Sequence, residues 1–229
     1  MAITTERPNG PERLIGESAK SVVKEIARLN RTIKTLYFAR YWPNNPNEED
    51  LFWNFSREQV LNGKLDWLTS PQLNCEDSLI GVISLVEMAP VEIDDPHVLN
   101  LSPEYRHIPM VDFSSLAFNG DNKSEDINNI KNFLREVLEE KQGWLLSSGR
   151  SYHYYGANLL TPDQWTWFMG KLLSQNKEKA GKVVVGARWV AKNLAGRDRI
   201  HSGVLGRFAT LRLTSGEKKP SVPLVVDFL

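Results

Sequence analysis

The chain has 229 residues, 41% of them hydrophobic, and its 28 Lys and Arg balance its 28 Asp and Glu. That length is enough for one large domain or two small ones with a sizeable core, and a net charge of zero speaks against tight nonspecific DNA binding while leaving room for a local basic groove. The single cysteine, Cys75, excludes an internal disulfide and any multi-cysteine zinc site; with no N-terminal apolar region and no apolar run near the roughly 18 residues a span needs, a cytoplasmic protein without membrane contact is expected.

Residues 1–13 are poor in apolar side chains and read as a loose tail. Residues 18–35 read as an amphipathic helix, with Val22, Val23, Ile26, Ala27, Leu29 and Ile33 near helical spacing and Lys and Arg opposite. Residues 34–41 either continue it or form a short strand. A breaker follows at Pro43 and Pro46, and residues 47–68 read as helix again, packed through Trp53, Phe55, Val60, Leu61 and Trp67. Residues 77–90 are apolar and ordered. On this reading residues 1–90 form a mainly helical extension, and residues 91–229 form an α/β core within one compact unit.

Residues 107–117 are the best candidate for a central strand. Residues 124–141 form a helix with Ile127, Ile130, Phe133, Leu134, Val137 and Leu138 on one face. Residues 144–155 read as strand, turn, strand. Thr161 is the expected N-cap of the next helix, with Pro162 at its first position, and Trp165 and Trp167 are packing residues there. Residues 182–189 are strand-like, and residues 205–214 and 222–228 are closing strands. The order from residue 107 is that of a βαββαβ core, so the fold class is α/β (α+β) with an antiparallel or mixed sheet.

The stretch Ser147-Ser148-Gly149-Arg150-Ser151-Tyr152-His153-Tyr154-Tyr155-Gly156 concentrates the chemistry. A buried strand has little use for Gly, Arg and His together, but a phosphate site does. Gly149 lets backbone approach an anion, Arg150 offers a planar fork of donors, and His153 offers a donor whose charge changes near neutral pH. The segment resembles the second motif, Ser-x-His, of the archaeo-eukaryotic primase superfamily. The resemblance implies an RRM-like core that makes or extends a nucleic-acid strand with two divalent metals, and it implies that Ser148, Gly149, Arg150 and His153 bind the phosphates of an incoming nucleotide.

Two-metal synthesis needs carboxylates, because anionic oxygens hold Mg²⁺ or Mn²⁺ against the phosphate charge. The family's first motif is a pair of acids on alternate strand residues. Here Asp112 fits the first acid and is the expected metal ligand, while Ser114 stands at the second position. For the third motif, residues 183–189 match a segment in which the acid is missing before Arg188. In a second alignment Asp198 serves, and Asp94 is an alternative for the first motif. Arg212 resembles an arginine near the nucleotide in the family's late strand, and the resemblance implies that Arg188 and Arg212 join the phosphate-binding set. The basic run of Arg197, Arg199, Arg207 and Arg212, with Lys218 and Lys219, has the composition of a solvated face but borders the expected pocket. The reading is a primase-polymerase-like protein that binds nucleotide or nucleic-acid phosphate with an incomplete metal set and little or no catalysis. The alternatives are an active primase using Asp112 with another acid, with Mg²⁺ or Mn²⁺ as its cofactor, and an interaction module that keeps the fold. Zero net charge is consistent with recruitment by a protein partner.

Overall fold

The computed structural model describes residues 11–42, 51–70, 78–90, 104–114, 123–138, 142–149, 151–175, 178–179, 182–183, 185–196, 206–216 and 219–229. After a 3-10 turn at Pro11–Leu14, helix α1 spans Ala19–Leu29. Its Val22, Val23, Ile26 and Ala27 are fully buried, and Lys20 and Lys24 on the outer side both pair with Asp66. Burying each of Val22, Val23 and Ile26 stabilises by about 1.5–3 kcal/mol. The helix stops at Asn30, whose side-chain amide donates to the Ile26 and Ala157 carbonyls at 2.9 Å each. The C-cap residue thus also fastens α1 to the later half of the chain.

Strands β1 (Ile33–Tyr41), β2 (Leu51–Ser56) and β3 (Leu79–Met88) follow, with short helices α2 (Arg57–Leu61) and α3 (Lys64–Leu68) between the last two. This corrects the mainly helical reading of residues 1–90. The Trp53 and Phe55 that suggested helix sit on a strand; their i, i+2 spacing is that of one strand face. The helical part begins only at Ser56, whose hydroxyl and Gln59 form a capping box.

Strand β4 (Tyr105–His107) pairs with β3, whereas β5 (Met110–Asp112) belongs to a different sheet. The single strand expected over residues 107–117 is therefore broken. Pro109 between the two has no N–H to give a ladder, and the chain steps from one sheet to the other there. Helix α4 (Lys123–Val137) buries Ile130, Phe133, Leu134 and Val137, as its pattern predicts. Strands β6 (Gly143–Ser147) and β7 (Tyr152–Gly156) form a hairpin, and α5 (Pro162–Ser174) starts at a Thr161–Gln164 capping box with Pro162 at its first position. Trp165 is buried and stacks on His107, with ring centres 4.5 Å apart, whereas Trp167 is exposed.

A two-residue pair β8 (Glu178–Lys179) and β9 (Lys182–Val183) precedes α6 (Ala187–Ala195), so the strand expected over residues 182–189 turns helical after Gly186. Strands β10 (Thr210–Arg212) and β11 (Leu224–Phe228) complete the fold.

All the pairings among the described residues are antiparallel. One sheet runs β10-β3-β1-β2, with β4 and β10 sharing one edge of the long β3; the other runs β11-β6-β7-β5. The fold is mixed α+β. The β-α-β-β-α order of β5, α4, β6, β7 and α5 is present, but the fourth strand of that sheet is β11, from the end of the chain. The segment before α1 covers the outer edge of β11 through bonds from Gly16 N–H to the Val225 carbonyl and from Val225 N–H to the Glu17 carbonyl. Buried side chains from both sheets and from α1, α4, α5 and α6 form one continuous core.

Candidate phosphate-binding site

The two sheets diverge around a cavity of about 400 Å³. One side is the β5–β7 pair, where Asp112 and His153 stand opposite each other in register. Opposed antiparallel residues point to the same face, so one face carries both side chains. The other side is Tyr41 at the end of β1 and Arg212 on β10. Of the residues predicted from sequence, Asp112, Ser114, Ser148, His153 and Arg212 all line this cavity. A second cavity, of about 460 Å³ beneath Pro109 and Trp167, contains none of them.

The β6–β7 turn is closed by Ser148 N–H donating to the Ser151 carbonyl at 2.8 Å. Gly149 has φ of 98°, a left-handed conformation that suits glycine and disfavours a side chain. Arg150 lies outside the described residues, as do Asp94 and Asp198. Arg188 sits exposed in the first turn of α6 and is not on the cavity wall.

Asp112 presents its carboxyl to the cavity, with 42% of its side chain exposed. Burial of its surroundings pushes the carboxyl up to about 6, with Lys219 and Arg212 pulling the other way. His153 is 6% exposed, and its Nε2 lies 3.5 Å from Asp112 Oδ1. Burial first, then the charges of Arg212 and Lys219, hold His153 down to about 3. This corrects the expectation of an imidazole that changes charge near neutral pH: His153 is a neutral ring. Its Nδ1 is buried without a partner, so Nε2, facing the carboxylate, carries the proton.

Arg212 is 4% exposed. Its guanidinium donates to the backbone carbonyls of Ser148, Thr214 and Ser221, and Tyr155 Oη donates to its own carbonyl at 3.3 Å. These acceptors are neutral, so the arginine's charge is not cancelled by them. They also tie the β6–β7 turn to the segment after β10.

Sequence reasoning did not single out Tyr41, Ser151 or Trp189 as members of the wall, whereas Lys219, from the basic run expected to border the pocket, does line it. Ser151 was legible, because it stands two residues before His153, and strand alternation puts the two on one face. Its Oγ donates to the Phe113 carbonyl, which leaves the oxygen's lone pairs as acceptors. Lys219 sits in a turn that its own backbone closes with Gly216 through two bonds of 2.9 Å. Gly186, the N-cap of α6, also lines the cavity and supplies no side chain to cap the helix's first N–H groups. The positive end of α6 therefore begins at the wall.

A two-metal centre needs several convergent carboxylates. Among the described residues no group of three His, Cys, Asp or Glu side chains can hold a metal ion, and Asp112 is the only carboxylate on this cavity. The described donors do not fit such a centre. What they make is a pocket with one carboxyl, two cations and neutral N–H and O–H groups.

No curated protein and no solved structure matches the chain. The family model for archaeo-eukaryotic primase 1D-like proteins (AEP-like) matches residues 97–222, more than half of the chain and the segment that supplies most of the cavity wall. No helix among the described residues is long and apolar enough to cross a membrane. The chain belongs to the archaeo-eukaryotic primase-like family.

Proposed function

We propose that the cavity between the sheets binds the phosphates of a nucleotide or of a nucleic-acid end, and that strand synthesis by this chain is weak or absent. The observation that supports both halves is the charge of the wall: Arg212 and Lys219 face a single carboxylate, Asp112. Phosphate oxygens want cations and N–H donors, and this wall offers them from β7, β10 and the start of α6. Family membership supports a nucleotide or nucleic acid as the ligand class. Catalysis by two metals asks for acids that the described wall does not hold.

The test is binding of a labelled nucleoside triphosphate to wild type and to His153→Asn, paired with a primer-extension assay in Mn²⁺. The expected result is nucleotide binding weakened about tenfold or more in the variant, with no extended primer. Extension by the wild type would contradict the catalytic half, and wild-type affinity in the variant would contradict the placement of the site.

A further inference from the structure

The charges on the wall bear on how a phosphate is held. Strand-synthesis sites neutralise triphosphate oxygens with divalent ions, and those ions are themselves held by carboxylates. In this cavity the carboxylates are not assembled among the described residues, yet positive charge is present. Arg212 is buried, and its bonds among the described residues are to neutral carbonyls. Lys219 has no ion-pair partner among the described residues, and its backbone position is fixed by the Gly216 turn. Both cations act on Asp112 and on His153 from the same space. Lys219 is exposed at the mouth, so its ammonium reaches a ligand that enters from solvent, while Arg212 forms part of the cavity's inner wall.

We propose that this site takes a polyphosphate without a divalent metal, Lys219 and Arg212 supplying the positive charge that metal ions supply where acids are assembled. This rests on the phosphate-site reading above and adds to it the identity of the counter-charge. A lysine is a compact point charge with three donors, suited to a phosphate oxygen that has no metal bridging it. The first turn of α6, which has no side-chain cap, adds N–H donors and the positive end of its dipole. Because Lys219 is exposed, replacing it disturbs no packing.

The experiment is calorimetric titration of the full chain with inorganic triphosphate and with ATP, in EDTA and in Mn²⁺. It compares wild type, Lys219→Glu and Lys219→Arg at one fixed ionic strength, since salt screens the exposed charge. Melting curves confirm that the variants fold. The expected result is binding in EDTA that Mn²⁺ improves by no more than about threefold, a loss of about tenfold or more in Lys219→Glu, and near-complete rescue in Lys219→Arg. Binding that appears only with Mn²⁺ overturns this proposal and leaves the phosphate site standing. Unchanged binding by Lys219→Glu in EDTA also overturns it. Absence of binding under every condition overturns both readings together.

Discussion

At the scale of single residues, Asp112 and His153 are neighbours whose environment pushes them toward their neutral forms. Asp112 is raised to about 6 and His153 is lowered to about 3, burial being the first cause of each. The two shifts have opposite consequences for stability. An acid whose folded value is raised contributes stability that is full below its unfolded value, near 3.9, and is lost as pH climbs through 6. A histidine whose folded value is depressed contributes stability that is full above about 6.5 and is lost as pH falls toward 3. Asp112→Asn removes the first effect and leaves the second. Denaturant unfolding at a series of pH values is therefore expected to show the variant gaining on the wild type as pH rises from about 4 to about 7, with little difference at pH 4. A stability difference that does not change with pH would show that the carboxyl is not desolvated in the fold.

At the scale of elements, the cavity depends on how closely β10 lies on β3. Gly81 of β3 pairs with Arg212 on one side and Ala39 on the other. A Cβ at position 81 would stand 2.7 Å from Thr210 Cγ2 and 3.0 Å from the Leu211 carbonyl oxygen. The second of these is backbone and yields only if the strand moves. Gly81→Ala is expected to destabilise by about 1–3 kcal/mol through overpacking, and also to weaken phosphate binding, because Arg212 rides on the displaced strand. Unfolding and binding measured on the same variant check this; loss of stability with unchanged affinity would show that β10 and the ligand are uncoupled.

The elements also show what the sequence made legible. Amphipathic patterns gave α1, α4 and α5, and Thr161 with Pro162 marked the start of α5 because a cap is a local signal. The β6–β7 hairpin and its turn were legible for the same reason. Strand β1 was one of the two readings left open for residues 34–41, whereas β2 was read as helix, since Trp53 and Phe55 satisfy a helical and a strand pattern alike over so short a run. The split of β4 from β5 turns on Pro109, which was read through rather than read as a break. At the site, Asp112, Ser148, His153 and Arg212 were found because motif residues cluster in sequence or on strands. Lys219 was legible only as the end of a basic run, and Tyr41 comes from a segment far from that motif, which only the packing of two sheets brings to it.

At the scale of the molecule, the two halves of the sequence are interleaved. Strands β1 and β3 form one sheet with β4 and β10, and the segment before α1 covers the edge of β11. The family-matched residues 97–222 therefore do not enclose the cavity by themselves: Tyr41 and Leu79 of the wall lie before them. This arrangement makes the cavity a property of the whole fold, with the β5–β7 face set against the end of β1 and β10. The most direct test of that claim is histidine side-chain NMR of the full chain, titrated first with pH and then with ATP. The structure predicts that His153 stays a neutral Nε2–H imidazole down to about pH 4 and that its signals shift as ATP saturates, while His107, which is not on the cavity wall, does not respond. A His153 that titrates near the ordinary imidazole value of about 6.5 and is indifferent to nucleotide would contradict the cavity as the phosphate site.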